Sequence, residues 1–227
     1  MNVTAVIVVG GTRAGVDVLA PLHGVPMLVR AVRSVLGTGL VGHVALLDVD
    51  ARPDALLRAC SGLPVSVHDE FRHAVIPVPT HAGQRADTTI GDGSVTSASG
   101  DVVLLHDAAR PLAPSALAAA VVEAVRSGHD IAVPVLPLAD TVKQVDEDGV
   151  VRGTPDRAGL RVVQAPHAIR RELLNPDLAV DPLGVALAHA AAGGAVHAVP
   201  GDPAAFAVRT AWDLELAELL VGREVER

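Results

Sequence analysis

Aromatic residues are almost missing from this chain: two Phe, one Trp and no Tyr in 227 residues. The core must therefore be built from Val, Leu, Ala and Ile. Stacking platforms for single-stranded nucleic acid are correspondingly scarce. Cysteine occurs once, at Cys60, which excludes an intramolecular disulfide and a Cys-ligated metal cluster. A small buried thiol is its simplest reading. Lysine also occurs once, at Lys143, and the net charge is -8. That balance excludes a general nucleic-acid or acidic-membrane surface and leaves room only for a local basic pocket. No stretch is long and apolar enough to span a bilayer, because the Ala-rich segments carry Glu, Arg or His at helical spacing. Met1 to Val9 lacks a basic region and a cleavage site and reads as a first strand, not a signal peptide. No nucleic acid, no membrane and a cytoplasmic location are expected.

Half of the residues are hydrophobic and 19% are charged, the balance of an ordinary globular chain. The most informative run is His106-Asp107-Ala108-Ala109-Arg110-Pro111, directly after Val102-Val103-Leu104-Leu105. A short apolar run ending in charged residues and a proline reads as a buried strand with polar side chains at its carboxyl end. In open α/β sheets that edge is where ligands bind. The two alanines let a flat ligand or a phosphate approach the backbone. An Asp107–Arg110 salt bridge that merely caps the next helix would use the same residues.

Strand and helix signals alternate along the chain. Thr4 to Val9 is β-branched and apolar and leads into Gly10-Gly11-Thr12-Arg13-Ala14-Gly15. Pro26 opens a helix that Gly37 and Gly39 end, and Pro53 opens a second. Strands are expected at His43 to Leu47, Val102 to Leu105, Ile131 to Leu136 and Ala195 to Val199. Val65 to Val67 and Val75 to Val78 are shorter extended candidates. Helices are expected at Pro114 to Val125 and Ala211 to Leu220, with Trp212 a packing residue of the last. The alternation predicts an α/β fold, a mostly parallel sheet with helices on both faces. Between Asp140 and Leu160 the pattern becomes that of a β-hairpin, with Asp146-Glu147-Asp148-Gly149 as its turn. Such an arm has too little core to stand free and is expected to pack on a second copy of the chain. A single domain over 1–227 with this arm at about 140–160 is expected.

With these residues placed, the chain resembles the 2-C-methyl-D-erythritol 4-phosphate cytidylyltransferases of isoprenoid biosynthesis. The resemblance rests on His106 to Pro111, Pro134 to Lys143, Thr154 to Leu160, Val163-Gln164-Ala165-Pro166 and Val199 to Pro203, in order, with Arg85-Ala86-Asp87-Thr88 upstream. It implies a Rossmann-like nucleotidyltransferase fold and a homodimer locked by the arm. It implies transfer of CMP from CTP to a sugar-alcohol phosphate, with release of pyrophosphate. Mg²⁺ would be bound mainly through the nucleotide phosphates, with no metal site of protein ligands. Carried over position by position, Asp107 and Arg110 match residues that contact the acceptor, and Arg13 matches an arginine facing the triphosphate. Thr141 and Arg157 match arm residues that reach the neighbouring subunit's site. Val9, Gly10 and Gly11 match the loop wrapped around the nucleotide. Thr88 and Ala108 fall in the ribose and base pocket, and Gly83 in the base-recognition segment.

The chain departs from that pattern in its cations. The resemblance implies a Pro-Lys pair after the glycine-rich loop, whereas this chain runs Val16-Asp17-Val18-Leu19-Ala20-Pro21-Leu22. A second family lysine falls at Ala207, with Arg209 two positions on and able to share its face. His23 could add a proton donor, and His167 stands where a glutamine is expected. Lys143 reads as a solvated arm residue. Gly10-Gly11 lacks the full Gly-x-Gly-x-x-Gly spacing of a dinucleotide site. The other readings are a catalytically impaired member that binds nucleotide or acts as a scaffold, and a transferase with a different acceptor.

Overall fold

The computed structural model describes residues 2–10, 15–75, 102–174 and 182–225. Its strands are β1 (Val3–Val9), β2 (Pro21–Leu22), β3 (Val25–Pro26), β4 (Val44–Asp48), β5 (Val65–His68), β6 (Val102–Asp107) and β7 (Ile131–Pro137). The later ones are β8 (Gln144–Val145), β9 (Val151–Gly153), β10 (Arg161–Val163), β11 (His167–Arg170) and β12 (Val196–Pro200). The helices are α1 (Met27–Leu36), α2 (Pro53–Ala59), α3 (Phe71–Val75), α4 (Ser115–Arg126), α5 (Pro182–Ala191) and α6 (Ala211–Val225).

Among the described residues, the main sheet runs β10-β7-β11-β6-β1-β4-β5, with β12 pairing β7. The pairs β1–β4, β1–β6, β4–β5 and β7–β12 are parallel. Antiparallel to their neighbours are β11, which lies between β6 and β7, and the edge strand β10 on β7. The central strands β1, β4 and β6 are mostly apolar, with Asp48 and His106-Asp107 only at carboxyl ends, because both sheet faces are covered, as in α/β folds generally. On one face, Ile7, Leu46 and Leu104 meet Leu28, Val32 and Val35 of α1 and Val121 and Val125 of α4. On the other, Val6, Leu47, Leu105 and Ile169 meet Phe71 and Ala74 of α3 and Val185 of α5. Each fully buried aliphatic side chain contributes about 1.5–3 kcal/mol.

Two local expectations change. Val75 closes α3 instead of opening a strand, because Phe71, Ala74 and Val75 fall on one helical face buried against the sheet. Residues 76–78 lie outside the described residues. Trp212 is 73% exposed rather than packed. Helix α6 turns Leu214 and Ala217 inward onto Leu22, Met27 and Val208, and Trp212 stands off that face. The arm is also sparer than its alternation suggests, pairing only β8 with β9 around the Asp146 turn. Val145, Val150 and Val151 are all exposed on it.

Candidate functional site

The site forms at the carboxyl ends of β1 and β6. Asp107 is the last residue of β6 and pairs with Val8 in register. The backbone of Ala108 then donates to the Val8 carbonyl, holding the Ala108-Ala109 turn against β1. Asp107 Oδ1 accepts from the Ala109 backbone at 2.9 Å, so the carboxylate is fixed by its own turn. Ala108 is fully buried beneath it, and Val9 is fully buried at the end of β1.

A distant segment closes this turn. The Val208 backbone donates to the Ala109 carbonyl at 2.7 Å. Arg110 Nη1 donates to the Ala205 carbonyl at 2.5 Å. Gln164, almost wholly buried, holds both backbone groups of Asp202, donating at 2.8 Å and accepting at 3.0 Å. A side chain on Gly201 would collide with the Gln164 amide and the Val135 carbonyl. These contacts explain why the motifs at 106–111, 163–166 and 199–203 occur in one chain: each holds the next.

Arg209 follows from that anchoring. Its backbone donates to Asp213 Oδ2 at 3.0 Å, and Thr210 and Asp213 cap each other at the start of α6. The Asp213 carboxyl is held below the usual carboxylate range, first by that Arg209 backbone bond and then by the Thr210 hydroxyl. Arg209 Nη2 comes to 3.8 Å from Asp107 Oδ2, and Arg110 Nε reaches the same oxygen at 3.8 Å. Burial lowers the Arg110 pKa, the Asp107 charge opposes that, and Arg209 adds to it. Two guanidiniums thus flank one carboxylate, and Arg209 is 40% exposed. Gly15, at the far end of the glycine-rich loop, lies so close to the Arg209 carbonyl that a Cβ would not fit. Arg209 therefore stands between the loop and the Asp107 turn.

His106 lies under this turn, 1% exposed. Among the described residues, neither ring nitrogen makes a hydrogen bond of normal geometry. Burial, with Arg110 and His167 nearby, pushes its pKa down to about 4 against the pull of Asp107.

A network that the sequence did not reveal lies on the other side of β1. Asp48, buried at the end of β4, accepts from the Asp50 and Arg52 backbones and folds the chain back. The Asp50 carboxylate is pressed onto Gly10, whose φ of +84° suits glycine. Arg52 Nη1 donates to both oxygens of Asp17, at 3.2 and 3.1 Å, and Nη2 lies 3.4 Å from Asp50. Asp17 was visible in the sequence as an acid in the loop, but nothing local pointed to Arg52.

The sequence match runs along nearly the whole chain: residues 3–223 fit the family model of 2-C-methyl-D-erythritol 4-phosphate cytidylyltransferase (IspD). The chain belongs to that family. A cytidylyltransferase of that name from Frankia casuarinae is 39% identical over 208 residues, covering 90% of this chain and 74% of the relative. A bifunctional IspD/IspF enzyme from Clavibacter michiganensis is 38% identical over 230 residues, covering 99% of this chain. This chain spans only 55% of that relative's length. The crystal structure of 4-diphosphocytidyl-2C-methyl-D-erythritol synthase from Anaerococcus prevotii superposes with a TM-score of 0.70. At 18% identity, covering 98% of this chain and 99% of that one, it speaks for the fold.

Among the expected site residues of this cytidylyltransferase-family chain, Asp107, Arg110 and Arg209 converge, with Ala108, Val9 and Gly10 beside them. Gly11, Arg13, Gly83 and Thr88 lie outside the described residues. Thr141 and Arg157 are exposed on the arm, and Arg157 donates to the Ala139 carbonyl of the same arm at 2.9 Å. Lys143 Nζ is bonded to the Thr154 hydroxyl, as befits an arm residue. His23 is not turned to the site: its Nε2 donates to the Glu218 carbonyl of α6 at 3.0 Å. His167 is buried and its Nε2 donates to the Gln164 carbonyl at 2.7 Å.

Proposed function

We propose that this chain transfers CMP from CTP to 2-C-methyl-D-erythritol 4-phosphate and releases pyrophosphate, with arginine in place of the family lysines. The observation that carries this reading is the convergence of Arg110 and Arg209 on Asp107, beside the end of the glycine-rich loop. The acceptor phosphate attacks the α-phosphorus of CTP in line. Such a reaction asks the protein mainly to position two polyanions and to neutralise charge between them.

Arg209 is suited to the phosphates because it is half exposed and aimed by the α6 cap. Arg110, more deeply held by the Ala205 carbonyl, fixes Asp107 and the turn. Asp107 accepts from acceptor hydroxyls, and its charge holds the guanidiniums in register. Arginine presents a planar fork where lysine presents a point charge, so the phosphate is gripped in one orientation. In the nucleotide pocket we place Val9, Gly10, Gly11, Gly83, Thr88 and Ala108, with Arg13 facing the triphosphate.

Mg²⁺ fits this site as a phosphate-borne ion. Asp107 is flanked by the Arg110 and Arg209 guanidiniums, a setting that suits an ion carried on the nucleotide phosphates. When bound, the ion would supply charge neutralisation at the phosphates.

The chain reads as one nucleotidyltransferase domain that pairs with a second copy through its arm. The exposed Val145, Val150 and Val151 support that pairing, and Thr141 and Arg157 would then serve the partner's site. No described helix is long and apolar enough to cross a membrane, and we place the protein in the cytoplasm. Product analysis by phosphorus NMR tests the reading with CTP against ATP, GTP and UTP, and with the methylerythritol phosphate against erythritol phosphate. A cytidine diphosphate adduct formed only with CTP and the methylated acceptor is expected. An adduct with another nucleotide or acceptor would replace the substrate assignment.

A further inference from the structure

We propose that Arg52 is a polyphosphate-binding residue of this chain, held ready at the glycine-rich loop by Asp17. This rests on the CTP-using reading above. Arg52 comes from the turn after β4, not from the loop, and no motif singles it out.

Three observations carry it. The turn bearing Arg52 is rigid, because the Asp48 carboxylate takes the backbone N–H groups of Asp50 and Arg52. It is docked on the loop, because Asp50 rests on Gly10 at the end of β1. The guanidinium itself is shared by Asp17 and Asp50, and its buried Nε has no partner among the described residues. The Arg52 and Asp17 side chains are 35% and 53% exposed. Ion pairs this exposed are weak and are easily exchanged for a better anion. A polyphosphate offers more charge than Asp17, and a fork of N–H groups matched to its oxygens. Asp48 does not compete, since its oxygens are taken by backbone donors. Asp50 stays at Gly10 and keeps Arg52 in place while Asp17 is displaced.

Arg13 is the loop's own cation, and Arg52 adds a second. The chain's one lysine, Lys143, is engaged on the arm with Thr154. Asp17 puts a negative charge at the loop's own end. A cation delivered from the neighbouring strand converts that acid from a liability into a holder: it aims Arg52 in the free protein and releases it to the ligand.

Two substitutions separate this role from simple bracing of the loop. Arg52→Gln removes the cation, and Asp17→Asn frees it. Calorimetric titration with Mg-pyrophosphate and with Mg-CTP measures binding without turnover. Arg52→Gln is expected to weaken both about ten-fold or more, and Arg52→Lys to recover part of the loss. Asp17→Asn is expected to tighten both several-fold, because the competing carboxylate is gone. The KM for the acceptor should stay unchanged in all three variants. Equal weakening by Asp17→Asn and Arg52→Gln would overturn the proposal in favour of a brace. Unchanged binding in Arg52→Gln would overturn it outright, as would a wild-type protein that binds neither ligand. Wild-type binding that depends on Arg52 without any cytidylyl transfer would sink the activity reading and leave Arg52 in its role.

Discussion

Arg209 and Asp107 come from segments a hundred residues apart in the chain, yet their side chains stand 3.8 Å apart. The contact exists because the 202–208 segment is fastened to the Asp107 turn by Val208 and Ala205. Arg209→Ala should therefore cost activity without unfolding the protein. A fall in kcat/KM of about a hundred-fold or more is expected, the size of losing one group that stabilises developing charge. Steady-state kinetics beside a thermal melt checks this. Undiminished kcat/KM would remove Arg209 from the site.

Ala207→Lys is the complementary gain. Ala207 is only half buried and precedes Val208, which is anchored on Ala109. A lysine there can reach toward the same phosphates. A rate increase is expected in single-turnover measurements, and an unchanged rate with intact acceptor binding would count against this placement.

The cap of α6 is a second lever on Arg209. Thr210→Ala removes the hydroxyl that bonds both the Asp213 carboxylate and its backbone. Such a loss costs about 0.5–2 kcal/mol. Because the Arg209 backbone shares that carboxylate, kcat should fall together with the melting temperature. A lowered melting temperature with unchanged kcat would show that the cap does not position Arg209.

Acid should destabilise the fold in a window set by histidines. Burial holds His106, His68 and His43 below their usual pKa of 6.5, with His106 at about 4. Below the usual value the unfolded chain takes up protons that the folded chain refuses. Stability is thus fully present above about pH 6.5 and is lost as pH falls toward each folded-state value. His106 alone sets a limit of about 1.4 kcal/mol per pH unit in that range. Melting temperatures compared at about pH 7.5 and about pH 5 should fall toward acid, and His106→Asn should flatten the slope. A melting temperature that rises toward acid would contradict these neutral buried rings.

Cys60 gives a probe of unfolding. It is buried in the core beside Leu56, and burial pushes its pKa up to about 11. A thiol reagent at neutral pH should react only as fast as the protein opens. Immediate stoichiometric labelling would show that the thiol is accessible in the native state.

Much of this was legible in the sequence, and the reason is local. β1, β6 and β7 are largely apolar runs covered on both faces, and Pro53 and Gly37 mark helix ends through their own backbone chemistry. Asp107 and Arg110 were legible because one tight turn holds both. β11 was not, because His167-Ala168-Ile169-Arg170 has neither a clean alternation nor a long apolar run. Its strand form comes from insertion between β6 and β7. Arg52 was hidden for a similar reason. Asp50 is its neighbour in the turn, but Asp17 is distant in sequence and is brought to it by the parallel pairing of β1 with β4. Trp212 misled because an aromatic at a helix start usually packs, whereas here Leu214 and Ala217 already fill the inward face.

The proposed chemistry puts arginines where the family resemblance implies lysines. The most direct measurement is pyrophosphate release by the purified protein with CTP, Mg²⁺ and 2-C-methyl-D-erythritol 4-phosphate, run beside Arg209→Ala. Turnover that needs all three components and collapses in the variant is the predicted result. Binding of CTP with no pyrophosphate release at any acceptor concentration would contradict it and mark the chain as a silent member of the family.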